Sequence, residues 1–565
     1  MDWIRSATLA LWLTVVSIIT VQLGHPLWLA NDDQAMAWVA SGAYSGNPSG
    51  ELVHVHRILG EFISLLYKAN PAITWYTLIL VATAIGSLTL MGAKCPPRIF
   101  SGWVTLSSAL MIWISLRPNF TVVAFVTGAV AMSLIAFAIR SNRFPLIGLA
   151  LFVLAALWRF DSALFVAVSA LPILVYSIVK STPRWSLPSV LTLSFIGLAV
   201  FTIPRTAWMC FFSAAGRCES WREYLQYIST LATIHGRPRA EVLAIIGDPS
   251  GNISPTATNL LLNNANSDAP DFGIEAVDSL ANSIPLYLRV LGNSIPNHFE
   301  ASLNALMPFA GLALGALLLF CLPTCLTNAS RAKWIVVLIF STFITVFALF
   351  SVSALIKLTP YNAVGASITL VILVVGMSLD PFALTGVTKR RIATYSQISG
   401  SIVLGIWLIF APTGLIQLEK EAVDRYHRND EFSVALTSAI GASGAFGQGN
   451  IASVIQTDPY HPANGGFRSN LLLSGWMVFS PNWFDRKENL GLTDIYTQYL
   501  DSSNVFAENP LLFIGGTTNA QLTVEYLKEI DPEKRNFTKI QLAQLTRDDD
   551  TLVGPTYLWR LIAIN

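Results

Sequence analysis

The sequence predicts an α-helical polytopic membrane protein with about eleven transmembrane helices and an external C-terminal α+β domain. Of the 565 residues, 53% are apolar and only 12% are charged, and the mean hydropathy is +0.55. Apolar runs recur at about the 20 residues that a helix needs to cross a bilayer. This composition excludes a single soluble globule, a disordered chain and a nucleic-acid-binding protein.

The charge distribution divides the chain into two parts. Residues 417–565 hold 12 basic and 18 acidic residues, whereas the preceding part holds 23 basic and 16 acidic ones. We therefore predict a transmembrane module over residues 1–416 and a soluble extracytoplasmic domain over residues 417–565.

Hydropathy places the beginnings of the predicted spans near Ser6, Ile73, Ser101, Thr121, Leu146, Ser162, Val190, Leu306, Ile335, Ala366 and Ile398. With the N-terminus in the cytoplasm, one membrane side collects twelve basic residues against Asp2 and Asp380, as the positive-inside rule requires. The basic residues are Arg5, Lys94, Arg98, Arg140, Arg143, Lys180, Arg184, Arg331, Lys333, Lys389, Arg390 and Arg391. The protein is thus predicted to be a multi-pass cell-membrane protein.

Three long segments then fall on the external face: residues 24–72, residues 205–305 and the C-terminal domain. In the first, a short helix is predicted to start at Asp33, with Asn31 or Asp32 as its N-cap. A turn follows over residues 45–50. The segment Arg57–Lys68 then has the apolar periodicity of a helix lying in the membrane interface.

The C-terminal domain mixes strand and helix patterns. Leu511–Ile514 is predicted to be a strand and Leu522–Ile530 a helix. The glycine-rich stretch Gly441–Gly449 is predicted to be a flexible loop rather than a phosphate cradle, because no Gly-Lys-Ser/Thr follows it.

The first external loop also holds the sharpest set of polar residues. Asp32 and Asp33 come within about ten residues of the first span, and a polar cluster follows them. Two adjacent carboxylates against a membrane face are costly to desolvate, so one of them is expected to have a raised pKa suited to accepting a proton. The alternative is that these acids only cap a helix. The cluster consists of His54, His56, Arg57 and Glu61.

Several cations break the charge rule because they lie in or beside external connections. Arg117, Arg159 and Lys357 occupy very short connections, and Arg205 follows the seventh span. Cations at this depth are placed to meet an anionic lipid head group or a lipid-linked phosphate. Snorkelling, or pairing of Arg159 with Asp161, is the alternative. His298, near the eighth span, is expected either to contact substrate or to solvate the loop end.

The five cysteines form no CxxC pair and no set with histidine at metal-ligand spacing, which disfavours a zinc or haem site. Cys210 and Cys218 lie in the second external loop, where they either form a disulfide or remain as buried free thiols.

In these features the chain resembles the GT-C superfamily of integral-membrane glycosyltransferases. The resemblance rests on Asp32 and Asp33 in LANDDQAM, on the segment ASGAYSGNPSGELVHVHRILGEF, and on the following LLYKANPAITWY. The Asp-Asp pair is similar to that of arabinofuranosyltransferases. RPNFTVVAF and LWRFDSALF also resemble segments of bacterial members, whereas no WWDYG-like element is found.

The resemblance implies an inverting transfer of a hexosyl or pentosyl group from a polyprenyl-phosphate donor to a hydroxyl of a cell-envelope glycan or glycolipid. It implies Asp32 as the general base and Asp33 in a lesser role, orienting the acceptor or the loop. No cofactor or catalytic metal is expected. The competing hypotheses are a multi-span transporter or lipid-linked glycan flippase, and a membrane-anchored scaffold. The near absence of carboxylates within the spans favours the enzyme.

Overall fold

The computed structural model describes residues 2–180, except 30, 45 and 142. In the rest of the chain it describes positions within 222–231, 254–262, 339–345, 360–379, 398–409, 416–423, 446–449, 458–461, 471–473, residue 500, 511–531, 535–544 and 557–564. The predicted spans beginning at Val190 and Leu306 lie outside these residues.

The N-terminal part is a bundle of apolar helices, because its sequence offers long runs of Leu, Ile, Val, Ala and Phe without interruption. Its helices are α1 (Asp2–Leu23), α2 (Asn31–Ser41), α3 (Arg57–Ala69), α4 (Trp75–Gly92), α5 (Pro97–Leu116), α6 (Phe120–Arg140), α7 (Leu146–Trp158) and α8 (Phe160–Lys180). Further along the chain lie α9 (Pro255–Leu262) and α10 (Pro360–Ser378).

Five helices among the described residues, namely α1, α4, α5, α6 and α8, are long and apolar enough to cross a membrane. They coincide with predicted spans, so the multi-span membrane class is supported. The predicted span beginning at Leu146 corresponds to α7, an apolar helix of 13 residues. That length falls short of the roughly 20 residues that a full crossing needs.

The centre of the bundle is α6, which is buried along almost its whole length and packs against α4, α7, α8 and α10. Close approach to α10 depends on glycine. A Cβ on Gly365 would clash with the Phe125 ring, and one on Gly376 would clash with Ser133 Oγ. Arg140 Nη2 donates to the Gly376 carbonyl at 2.9 Å. The early part of α10 thus contacts the early part of α6, and the late part of α10 contacts the late part of α6. The two helices therefore run parallel.

The C-terminal part contains a mixed five-stranded sheet and one helix. The strands are β1 (Phe446–Gly449), β2 (Leu471–Leu473), β3 (Leu511–Gly515), β4 (Asn536–Gln544) and β5 (Tyr557–Ile564), and α11 (Thr517–Ile530) follows β3. The strand order is β2-β1-β3-β5-β4, with β2, β1 and β3 parallel and β5 and β4 antiparallel. The strand and helix predicted around residues 511–530 are confirmed.

The prediction of a flexible loop over Gly441–Gly449 is wrong for its last four residues. Phe446–Gly449 forms β1 and pairs with strands on both sides. Glycine has a low strand propensity, but two neighbouring strands supply ladder hydrogen bonds that outweigh it.

Among the described residues, the turn 458–461 makes two hydrogen bonds with the bundle. The Pro459 carbonyl accepts a hydrogen bond from Thr77 Oγ1 at 2.5 Å, and Tyr460 Oη donates to the Ser115 carbonyl at 3.1 Å. Thr77 lies at the start of α4 and Ser115 at the end of α5. The turn 458–461 therefore lies at the same end of the bundle as the first loop.

Candidate active site

Backbone hydrogen bonds join the first loop to two short connections of the bundle. Its beginning runs beside the α5–α6 connection, where Leu27 N–H donates to the Leu116 carbonyl at 2.9 Å. Its later part reaches the end of α7, where His56 N–H donates to the Leu157 carbonyl at 2.7 Å. The α5–α6 connection carries Arg117 and the α7–α8 connection carries Arg159, two cations that the sequence predicts in short external connections. The backbone contacts bring the acids and these connections to one place.

Helix α2 begins at Asn31, two residues before the predicted start, so Asp32 and Asp33 lie in its first turn. The prediction of a helix that starts at Asp33 with Asn31 or Asp32 as its N-cap is therefore wrong. Carboxylates in a first turn are favoured by the positive end of the helix dipole. The loop then turns at Gly42 and Gly46, whose φ angles of 81° and 86° suit glycine.

Asp33 is completely buried and points at the start of α6 rather than at solvent. Its Oδ1 accepts from Phe120 N–H at 2.8 Å and from Tyr76 Oη at 3.3 Å, and its Oδ2 accepts from Asn119 Nδ2 at 2.6 Å. Burial raises the pKa of Asp33 well above its usual value, and the nearby charge of Asp32 adds to the rise. The hydrogen bonds from Phe120, Asn119 and Tyr76 oppose this rise.

Asp32 has a different environment, because its side chain keeps 20% of its surface exposed. Its Oδ2 lies 4.0 Å from His54 Nε2. The His54 ring is stacked on the Phe120 ring with centroids 5.8 Å apart and 7° between their planes. Asp32 is thus the acid of the pair whose side chain is accessible from solvent.

Arg159 joins the same cluster from the α7–α8 connection. Its guanidinium carbon lies 5.3 Å from the Phe120 ring centroid, and Nη1 donates to Thr121 Oγ1 at 2.6 Å. The Phe120 ring is therefore shared by His54, the neighbour of Asp32, and by the Arg159 cation. The ring of Phe120 thus contacts the Arg159 cation and His54, and the partly exposed Asp32 carboxylate lies 4.0 Å from His54.

The other first-loop candidates mainly organise the loop. The His56 ring accepts from Ile58 N–H at 3.2 Å and caps α3. Arg57 lies between two carboxylates, with Nη1 3.7 Å from Glu51 Oε1 and Nε 3.3 Å from Glu61 Oε1. These two carboxylates balance the charge of the Arg57 guanidinium.

Arg117 is only 3% exposed. Its Nη1 donates to the Leu116 carbonyl at 2.9 Å and to the His25 carbonyl at 3.4 Å. A cation at the carbonyl end of α5 stabilises that helix terminus. Arg205, His298 and Lys357 lie outside the described residues, as do Cys210 and Cys218.

The sequence did not single out Asn119, Phe120, Tyr76, Glu51 or Tyr224. Asn119 and Phe120 were within reach, because an asparagine before a long apolar run is an N-cap signal. Tyr224, from the second predicted external loop, is buried. Its burial, and then the influence of Tyr227 and Asp32, raise the pKa of Tyr224. No local sequence pattern predicts that this tyrosine lies near Asp32.

No protein family, curated protein or solved structure matches this chain.

Proposed function

We propose that the protein is a GT-C-like glycosyltransferase, which moves a sugar from a polyprenyl-phosphate donor to a hydroxyl of a cell-envelope glycan or glycolipid. The proposal includes about eleven spans and an extracytoplasmic C-terminal domain. The observation that carries it is the contact of His54 and Arg159 with the Phe120 ring at one end of the bundle, with Asp32 lying 4.0 Å from His54. This arrangement offers a base and a phosphate-binding cation beside the membrane surface.

In the proposed reaction, Asp32 accepts the proton of the acceptor hydroxyl as the oxygen attacks the anomeric carbon. The bond between that carbon and the phosphate oxygen breaks, and the polyprenyl phosphate leaves with the bonding electrons. Arg159 stabilises the negative charge of the leaving phosphate. A single displacement of this kind inverts the anomeric configuration.

The competing transporter or flippase is disfavoured by the described spans. Transporters place ionisable groups near the bilayer midplane. Among the described candidate spans, the carboxylate of Asp161 lies in the first turn of α8, at the end near the site, and the long central helix α6 carries no acid.

The experiment is transfer of sugar by purified protein from a polyprenyl-phosphate sugar to envelope glycan. Asp32→Asn keeps the size and shape of the side chain but removes proton uptake, so turnover should fall about a hundred- to ten thousandfold with donor binding retained. Arg159→Gln should instead weaken donor affinity about ten- to a hundredfold, because a charge-assisted bond to phosphate is lost.

Glu525→Gln is the matched control, because Glu525 is an exposed carboxylate on α11. It should leave both quantities unchanged. If the wild type transfers sugar and Asp32→Asn does so at nearly the same rate, Asp32 is not the base and its role is structural. Absence of transfer, together with movement of a lipid-linked glycan across proteoliposomes, would favour the flippase.

A further inference from the structure

The Asp33 carboxylate is hydrogen-bonded to groups of the protein itself. Both oxygens accept hydrogen bonds, from Phe120 N–H, Tyr76 Oη and Asn119 Nδ2, and the side chain has no exposed surface. An acceptor hydroxyl has no route to an oxygen surrounded in this way. Asp33 is built into the bundle as an acceptor of hydrogen bonds.

Asn119 has its orientation fixed from the other side. Its Oδ1 accepts from Val122 N–H at 3.0 Å and so caps α6. Since the amide oxygen serves the cap, the amide nitrogen must face Asp33, where it donates at 2.6 Å. The pair thus has a defined polarity, with a donor at residue 119 and an acceptor at residue 33.

Phe120 connects this pair to the proposed catalytic group. Its backbone N–H holds Asp33, and its ring contacts both His54 and the Arg159 guanidinium. Asp32, the next residue to Asp33, lies 4.0 Å from His54. The same residue of α6 therefore sets where the first turn of α2 lies and where His54 and Arg159 lie.

We propose that Asp33 and Asn119 are a pair of positioning residues that hold Asp32 at the start of α6, and that Asp33 takes no proton from the acceptor. This inference rests on the proposed function for its kinetic consequence. Its structural part, the coupling between residues 33 and 119, stands without it.

The polarity of the pair suggests an exchange of the two residues as the test. In Asp33→Asn, the amide oxygen can occupy only one of the two carboxylate oxygen positions, and the amide NH2 at the other position faces Phe120 N–H or Asn119 Nδ2. One buried donor therefore loses its partner. Asn119→Asp removes the donor that faces Asp33 and brings two carboxyl groups to hydrogen-bond distance, which is unfavourable when both are ionised. In the double variant Asp33→Asn/Asn119→Asp, the amide at 33 donates and the carboxylate at 119 accepts. Aspartate also caps a helix as well as asparagine.

We expect each single variant to lower the melting temperature and the yield of monodisperse protein in detergent, and the double variant to restore most of both. For turnover, each single change should lower kcat by up to about a hundredfold while the KM for donor holds, because misplacing a group by about 1 Å costs that much. The double variant should recover kcat, although residue 33 then carries no carboxylate.

Two results would overturn the proposal. Restored stability with a kcat as low as in Asp33→Asn would show that the carboxylate at 33 takes part in the chemistry. Additive losses of stability in the double variant would show that the two residues do not act as a pair. If no transfer is detected with any form, the proposed function fails, while the melting temperatures still decide whether the pair exists. A single variant that does not fold and a double variant that does would also support the pair.

Discussion

Asp32 and Asp33 are neighbours in the chain, yet the fold gives them different chemical environments. Asp33 is buried against α6, whereas Asp32 is partly exposed beside His54. The sequence predicts that the pair is important, since two acids next to a membrane face are costly. It cannot say which acid is buried, because the partner that buries Asp33 is Asn119, 86 residues further along the chain.

The raised pKa of Asp33 predicts a pH dependence of stability. An aspartate has a pKa of about 3.9 in an unfolded chain, and burial raises it in the folded protein. The folded state then binds the proton more tightly, so this contribution is complete below about pH 4 and is lost as pH rises towards the folded-state pKa. The melting temperature of the wild type minus that of Asp33→Asn should therefore decrease as pH rises above about 4.

Measuring the difference between the two proteins removes the titration of groups that they share. Glu525→Gln is a suitable reference, because it changes an exposed carboxylate on α11. A difference that grows with pH would mean that the hydrogen bonds from Phe120 and Asn119 outweigh burial and keep Asp33 ionised.

At the scale of helices and strands, local pattern predicts what is locally determined. Helix α3 was predicted to span Arg57–Lys68 and extends over Arg57–Ala69, because its apolar periodicity and its last-turn lysine act within the helix. The short strand β1 was missed, since pairing with β2 and β3 stabilises its glycines from outside the segment. The start of α2 was misplaced because Asp33 bonds to α6 and not to its own helix.

The turn 458–461 is expected to hold the C-terminal part to the bundle. Tyr460→Phe removes the hydroxyl that donates to the Ser115 carbonyl, so stability should fall by about 1 kcal/mol, and the melting temperature should drop measurably in detergent. His461→Gln is the matched control. His461 is 80% exposed and its contact with Asp458 lies in solvent, where such pairs contribute little. An equal effect of the two changes would contradict this role for Tyr460.

At the scale of the whole molecule, the chain alternates between two ends of the bundle. The first loop, the connections that carry Arg117 and Arg159, and the turn 458–461 meet at one end. Lys94 and Arg143 lie in the α4–α5 and α6–α7 connections, at the other end. This distribution follows from the same charge asymmetry that the positive-inside rule uses, and so the sequence could predict it.

Single cysteines in a cysteine-free background test this orientation. All three test positions, Lys94, Arg143 and Glu529 on α11, are exposed on the protein surface. In intact cells, cysteines at Lys94 and Arg143 should be protected from an impermeant thiol reagent by the membrane, whereas one at Glu529 should react. Permeabilised cells should label all three, which controls for reactivity. Labelling at Arg143 with protection at Glu529 would reverse the orientation.

The convergence of the acid, the histidine and the cation could not be predicted from sequence, because it depends on how α6, α7 and the first loop pack. It is also the central claim of the proposed function. The most direct measurement is a cryo-EM structure of the wild-type protein with a non-cleavable polyprenyl-phosphate sugar. We predict the phosphate against the Arg159 guanidinium and the anomeric carbon beside Asp32. A phosphate bound elsewhere, with Asp32 and Arg159 free of the ligand, would contradict the proposed function.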